Sequence, residues 1–266
     1  LNQSFIEKNI RKGLIKINQH KVKANHKVKK NDIVNIFNYS KDGYRHTIKK
    51  IVQKNIPKDI MGKFKQSIIY ENKDFIILNK WTDVATQGVS KISISIDDII
   101  KNISKKYNLV HRLDKETSGL LILAKNLLIT RLFFKLFKEQ KIKKIYVAVC
   151  QGIPKNLDSV VKLKIVNKKN PSKSDQSITK YKVLKNKNKL SVILFSPLTG
   201  KTHQLRIVSK YLGCPIVGDI KYNKKNKYNL EKLKLNAYFL QFIVNNKKYE
   251  FKSKLPNHFD KFLAKN

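Results

Sequence analysis

Leu109-Val110-His111-Arg112-Leu113-Asp114-Lys115-Glu116-Thr117-Ser118-Gly119-Leu120-Leu121-Ile122-Leu123-Ala124 is the run on which the reading of the chain turns. It opens on an apolar pair, passes through a polar segment from His111 to Gly119, and closes on an apolar run from Leu120 to Ala124. A short apolar run bounded by turn residues reads as a buried strand. The polar segment before it is then a loop at the edge of a core, where functional side chains are mounted on a rigid frame. Asp114 is the only Asp of that loop, Arg112 stands two positions earlier, and Thr117-Ser118-Gly119 permits a tight backbone. A carboxylate so placed can attack a sugar carbon as a covalent nucleophile. It can equally cap the backbone of its own loop. A kinase catalytic loop reads His-Arg-Asp, whereas Leu113 intervenes here, and no Gly-rich phosphate loop or Asp-Phe-Gly accompanies it.

Outward from this run the pattern is α+β. Ile68–Tyr70 and Phe75–Leu78 read as strands around an Asn72-Lys73-Asp74 turn. Ser95 with Asp98 three residues on predicts a capping box, and Ile96, Ile99, Ile100 and Ile103 predict the buried stripe of the helix it starts. A helix is expected from Leu127 to Glu139, and a strand from Ile145 to Val149. Tyr181–Leu184 and Leu190–Phe195 read as a hairpin across Lys185–Lys189, and Leu235–Val244 with Lys248–Lys252 as another. Thr202 to Tyr211 reads as a helix closed by Gly213. Connection lengths make the pairing mostly antiparallel. At the start of the chain, apolar Phe5, Ile6 and Ile10 share one helical stripe, with Ser4 and Glu7 as a capping-box pattern. Gly13 breaks that helix, Ile15-Lys16-Ile17 alternates as a strand, Val22 begins another, and Ile33–Ile36 follows a Lys30-Asn31-Asp32 turn. Residues 41–66 read as a polar linker.

The formal net charge is +40, from 58 Lys plus Arg against 18 Asp plus Glu, so a polyanionic partner is indicated. Lys, Asn and Ile are abundant throughout, as an A+T-rich genome produces, and that shares responsibility for the charge. Arginine is more selective: only Arg11, Arg45, Arg112, Arg131 and Arg206 occur. A planar guanidinium holds a carboxylate or phosphate bidentately, and an ammonium cannot. Cys150 and Cys214 lie in apolar surroundings and read as buried free thiols. No His or Cys spacing matches a metal site, no apolar run reaches membrane-span length, and no signal-peptide pattern opens the chain.

Three more segments carry chemical groups. Lys144-Ile145-Tyr146-Val147-Ala148 places Tyr146 on an alternating strand, where it suits a core aromatic as well as a functional phenol. Ser196-Pro197-Leu198-Thr199-Gly200-Lys201-Thr202-His203-Gln204-Leu205-Arg206 ends on one of the rare arginines. Gly213-Cys214-Pro215-Ile216-Val217-Gly218-Asp219-Ile220-Lys221-Tyr222 reads as a tight turn in which Asp219 is structural. Taken in order with the Leu109–Ala124 run, these segments resemble the motifs of the RluA-type pseudouridine synthases over most of residues 66–245. Leu78-Asn79-Lys80 and Gln87-Gly88 resemble the first strand and loop of that family. The departures are Trp81 where the family has Pro, Lys201 where it has Arg, and Ile207-Val208 after Arg206. Ile10-Arg11-Lys12-Gly13, Ile15–Asn18, Val22 and Asn31–Val34 resemble the S4 RNA-binding module from its second helix onward, with the first helix missing. The chain starts at Leu1, so an N-terminal truncation or a misplaced start is expected.

The resemblance implies an α+β fold: a mixed, mostly antiparallel central sheet with flanking helices, preceded by a truncated S4-like module. Its expected boundaries are 1–40 for the module, 41–66 for the linker and 67–266 for the catalytic domain. It implies Asp114 as nucleophile, Tyr146 against the target base as general base, and Arg206 paired with Asp114. A guanidinium there would keep the carboxylate ionised in a dry pocket. Arg11, Lys12, Lys16, Lys80, Arg112, Lys201 and His203 are expected to bind RNA. The implied activity is isomerisation of uridine to pseudouridine in RNA by base flipping, with large-subunit rRNA the expected substrate and an RluC-like or RluD-like branch preferred. No metal or cofactor is expected, the protein is expected to be a monomer, and the location is the bacterial cytoplasm or an organelle's matrix or stroma. The alternatives are a non-catalytic RNA-binding or ribosome-assembly factor with the same fold, and a tRNA-directed pseudouridine synthase.

Overall fold

The computed structural model describes residues 3–37, 39, 54–88, 94–167, 170–223 and 231–263. The chain divides into two compact units, Leu1–Val52 and Gln53–Asn266. Arg45 and most of the expected linker, residues 41–53, lie outside the described residues. Among the described residues no helix is long and apolar enough to cross a membrane.

The first unit begins with helix α1 (Gln3–Arg11). Ser4 lies inside α1 instead of capping it, and Glu7 takes a hydrogen bond from the Gln3 amide and pairs with Arg11. Gly13 ends the helix at φ +74°, with Leu14 N–H bonded to Asn9 O and Gly13 N–H to Ile10 O. This double bond satisfies two orphan carbonyls and needs a left-handed residue, which glycine supplies without a Cβ clash. Strands β1 (Ile15–Ile17), β2 (His20–Lys21) and β3 (Val34–Ile36) form an antiparallel sheet in the order β2-β1-β3. Val22 falls just beyond its expected strand, because Asn18 and Gln19, both at positive φ, close the hairpin early and set Ile17 opposite His20.

The second unit opens with helix α2 (Lys58–Gln66), so its last residues are not the linker that polarity suggested. Ile60, Met61 and Phe64 share one helical face, Pro57 starts it, and Phe64 is buried among Ile76, Leu78, Ile96 and Ile99. Strands β4 (Ile68–Glu71) and β5 (Phe75–Lys80) follow, then helix α3 (Ile96–Ile103). Its capping box is present as expected: Asp98 N–H donates to Ser95 Oγ at 3.2 Å and Ser95 N–H donates to Asp98 Oδ2 at 2.9 Å. Ile103, expected in the buried stripe, is exposed at the helix's last position. Strands β6 (Asn108–Leu109) and β7 (Ser118–Ala124), helix α4 (Leu127–Lys138) and strands β8 (Lys143–Gln151), β9 (Asp158–Asn167), β10 (Asn170–Lys187) and β11 (Leu190–Pro197) come next. Helix α5 (Gln204–Tyr211), strands β12 (Leu235–Val244) and β13 (Lys247–Lys252), a 3-10 turn (Asn257–Phe259) and helix α6 (Asp260–Leu263) complete the unit.

Its ten-stranded sheet runs β4-β5-β7-β12-β8-β11-β10-β9, with β13 on β12 and β6 on β7. Among the described strands only β7 and β12 pair in parallel. Strand β7 is buried on both faces because its alternate side chains feed two cores. Leu120 and Ile122 pack with Phe75, Phe242 and the α4 residues Ile129 and Phe133. Leu121 and Leu123 pack with Phe64 of α2 and Ile96, Ile99 and Ile100 of α3. A third core joins Ala148, Ile193 and Phe195 to Leu205 and Val208 of α5. At the β7–β12 junction Gly119 lies opposite Ala237 at φ +105°, and a Cβ there would sit 2.4 Å from the Ala237 carbonyl oxygen. The free thiols Cys150 and Cys214 are both buried.

Candidate active site

Asp114 sits in the loop between β6 and β7, and the loop is tied down on both sides. Thr86 Oγ1 donates to Leu113 O at 2.7 Å and accepts from Leu113 N–H at 3.1 Å. His111 Nε2 accepts from Ile122 N–H at 2.9 Å, so this imidazole is a neutral acceptor; burial, then Lys144, pulls its pKa down to about 3. Thr117 N–H bonds to Asp114 O at 3.1 Å, closing the turn that carries the carboxylate.

Lys80 departs from its expected place on an RNA surface. It is fully buried, and its ammonium donates to the carbonyls of Trp81 at 3.0 Å, Val84 at 3.0 Å and Lys115 at 3.3 Å. An ammonium with three carbonyl acceptors and no solvent contact is a brace for the Asp114 loop, and it cannot reach a phosphate. Burial lowers its pKa to about 7, against the opposing pull of Asp114, Asp83 and Glu116.

Two elements face the loop. Strand β8 contributes Tyr146, partly buried and held between Phe195 of β11 and Ala237 of β12 in the sheet register. Burial first, and the Asp114 carboxylate second, push its phenol well above the ordinary tyrosine range. Helix α5 contributes Arg206, whose side chain is only 7% exposed. Its Nη1 lies 3.9 Å from Asp114 Oδ2 and 3.6 Å from Glu116 Oε2. The closer partner is Asp219, which takes a bidentate pair: Nε to Oδ2 at 2.8 Å and Nη2 to Oδ1 at 2.7 Å. Burial opposes the Arg206 charge, but the Asp219 bonds and the surrounding carboxylates outweigh it and raise the pKa. The expected Arg206–Asp114 pair is therefore a contact made by a guanidinium that Asp219 has already oriented.

His203 precedes α5 in a left-handed conformation, φ 55°. Its Nε2 is 3.9 Å from Asp114 Oδ2, and its Nδ1 is 2.9 Å from the Tyr222 hydroxyl. The loop before it is organised by buried Gln204, whose Oε1 accepts from Thr199 Oγ1 at 2.8 Å and from Lys201 N–H at 3.0 Å. Lys201 itself lies 3.5 Å from Asp175. Asp114, Tyr146, Arg206, Arg112, Lys201 and His203 all line one cleft of about 140 Å³. Arg11, Lys12 and Lys16 belong to the other unit: Arg11 and Lys12 are exposed, and the Lys16 ammonium sits 4.9 Å from the centre of the Phe37 ring. Sequence reading missed Thr86, Gln204 and the part of Asp219 as the principal partner of Arg206. Among the described residues no group of three or more His, Cys, Asp or Glu could hold a metal.

Asp114 is the one carboxylate among the residues that line the cleft, and it stands with cationic side chains on an α+β frame. The RNA pseudouridylate synthase family model matches residues 74–211. The chain belongs to that family and is an isomerase that forms pseudouridine in RNA. It is 36% identical to the ribosomal large subunit pseudouridine synthase C of Rickettsia typhi, over 99% of this chain and 92% of that protein. The protein of the same description from Buchnera aphidicola is 34% identical over 96% of this chain and 88% of its own length. Among solved structures, human RNA pseudouridylate synthase domain containing 4 matches with a TM-score of 0.67 and 25% identity, over 76% of this chain and 93% of that one.

Proposed function

We propose that the chain isomerises specific uridines of large-subunit ribosomal RNA in the cytoplasm, acting as a monomer with Asp114 as its nucleophile. The observation that carries this reading is the convergence of Asp114, Tyr146 and Arg206 on one cleft from a loop, a strand and a helix far apart in the chain. The relatives from Rickettsia and Buchnera, matched over nearly their whole length, name the large ribosomal subunit.

A base within a helix cannot reach Asp114, so the target uridine flips into the cleft, at a cost of a few kcal/mol that is smallest in loops and bulges. Asp114 acts on the ribose, either by attacking C1′ or by taking a sugar proton to give a glycal, and the N-glycosidic bond breaks. The freed uracil turns over and rejoins the sugar through C5. Tyr146 begins as a neutral phenol that supports the base. The Asp114 charge is one of the two causes that hold its proton, so once that charge is consumed the phenol gives its proton up more readily, to N1 of the freed uracil, and the phenolate left behind accepts the C5 proton late in the reaction. Arg206 charge-balances Asp114. Arg112 and Lys201 face RNA at the cleft, and Arg11, Lys12 and Lys16 of the S4-like first unit, taken as residues 1–40, add phosphate contacts. The binding is steeply salt-dependent.

The test uses RNA labelled with tritium at uridine C5. Asp114→Asn should bind this RNA as the wild type does and release no tritium. Turnover by the variant would refute the nucleophile assignment. Binding without release by the wild type itself would favour a non-catalytic assembly factor.

A further inference from the structure

The cleft contains a second chain of contacts to Asp114 besides the Arg206 guanidinium. His203 Nδ1 lies 2.9 Å from the Tyr222 hydroxyl, and His203 Nε2 lies 3.9 Å from Asp114 Oδ2. The two rings meet edge to face at 87°, with centroids 5.6 Å apart. Tyr222 is placed by the same buried carboxylate that orients Arg206: Asp219 Oδ1 accepts from Tyr222 N–H and Lys221 N–H, each at 3.0 Å. The Arg206 guanidinium carbon lies 5.3 Å from the Tyr222 ring centre.

The imidazole has one proton to place when neutral. A bare Nε2 lone pair would face the Asp114 carboxylate repulsively. With hydrogen on Nε2, Nδ1 becomes an acceptor, and the Tyr222 hydroxyl stands at hydrogen-bond distance to donate to it. The carboxylate therefore favours the tautomer with its N–H on Nε2, and the Tyr222 hydroxyl, which can donate or accept, satisfies the Nδ1 lone pair and holds the ring in place. The His203 backbone is in the left-handed region at φ 55°, a conformation that persists where the surrounding structure enforces it.

We propose that His203, held by Tyr222, is a positioning residue that braces one oxygen of Asp114 and leaves the other to react with the ribose. This rests on the reading of Asp114 as nucleophile, and it changes the part expected of His203, which was contact with RNA. His203 Nε2 and Arg206 Nη1 approach the same oxygen, Oδ2, each at 3.9 Å. That distance is too long for a hydrogen bond, so the brace tightens when RNA fills the cleft, as catalytic hydrogen bonds commonly do.

The experiment measures single-turnover rate at saturating RNA alongside RNA affinity, for the wild type, His203→Ala, His203→Gln, Tyr222→Phe and His203→Ala/Tyr222→Phe. Loosening a reacting group by about 1 Å costs about 100-fold in rate. His203→Ala should therefore lose about 100-fold in rate with affinity within about 3-fold of wild type. His203→Gln, which keeps an N–H donor, should recover part of that loss. Tyr222→Phe keeps the ring over Arg206 and removes only the hydroxyl, so it should fall between, and the double variant should be no slower than His203→Ala. Nitrogen NMR of the wild type at pH 8 should show the proton of the His203 ring on Nε2. The proposal is overturned if His203→Ala weakens RNA binding while keeping the rate, if His203→Gln is no better than His203→Ala, or if Nδ1 carries the proton. A wild type that forms no pseudouridine would instead remove the functional reading beneath it.

Discussion

Asp219→Asn isolates the step by which Arg206 is delivered to the cleft. In the wild type the Asp219 carboxylate is 1% exposed and takes both guanidinium bonds, at 2.8 and 2.7 Å. Asparagine keeps the shape but supplies one acceptor, and its amide hydrogens then face guanidinium hydrogens. Removing one partner of a buried ion pair costs about 3–5 kcal/mol, because a buried charge is left without compensation. Arg206 still has Glu116 at 3.6 Å and Asp114 at 3.9 Å, which offset part of the loss and place the expected cost near the lower figure. At about 2–4 °C per kcal/mol for a domain of this size, the midpoint of thermal unfolding should drop by about 6–12 °C. Arg206→Met leaves Asp219 buried without its principal partner and should cost a similar amount. The combined Asp219→Asn/Arg206→Met variant removes both charges, so it should cost less than the two single changes added together, by about 2 kcal/mol. Thermal and denaturant unfolding of the three variants measure this cycle. A single Asp219→Asn within about 1 kcal/mol of wild type, or strict additivity in the double variant, would refute the claim that Asp219 holds Arg206 in place.

Most of the sheet was legible because its signals are local. The Ser95–Asp98 capping box and the alternation of the last hairpin are written within a few residues of each other, and both appear where the pattern placed them. The β9–β10 hairpin was overlooked, although Val161, Leu163 and Ile165 alternate with Lys162 and Lys164 as a one-sided strand does. The abundance of lysine masked that period. Helix α2 was missed for a similar reason: Lys58, Lys63 and Lys65 made the stretch look like a linker while Ile60, Met61 and Phe64 formed a stripe. At the site, the motif residues were legible and their partners were not. Lys80 is indistinguishable from a surface lysine until the carbonyl of Lys115, 35 positions away, is folded against it. The Thr86 clamp on Leu113 spans 27 positions, and the Asp219 grip on Arg206 spans 13. Such partnerships exist only after folding, so no local pattern announces them.

Two further substitutions probe how the frame holds the Asp114 loop. Gly119→Ala drives a Cβ to 2.4 Å from the Ala237 carbonyl at φ +105°, so the β7–β12 pair cannot close around it; the variant should lose several kcal/mol in chemical denaturation or fail to fold, and near-wild-type stability would be inconsistent with this register. Lys80→Met removes a buried ammonium and strips Trp81 and Val84 of a donor to their carbonyls, while Lys115 O keeps its bond from Asp83 N–H. Each buried carbonyl left unpaired costs about 1–3 kcal/mol, so the variant should be less stable than wild type near neutral pH. Its pH dependence is the sharper signature. The folded pKa of Lys80 lies near 7, below its ordinary value of 10.5, so the unfolded chain binds the proton more tightly. Unfolding therefore takes up a proton between pH 7 and 10.5, and the Lys80 contribution grows as pH rises through that window. Below pH 7 both states are protonated and the contribution levels off at its smallest value. The stability of wild type minus that of Lys80→Met should thus climb from pH 7 to 9.5 and stay flat from pH 5.5 to 6.5. Subtracting the variant removes the background relief of repulsion among the remaining lysines, which titrate in both proteins. A difference that stays level across the alkaline limb would mean that the Lys80 ammonium keeps its ordinary proton affinity, and that its three carbonyls offset the full cost of burial.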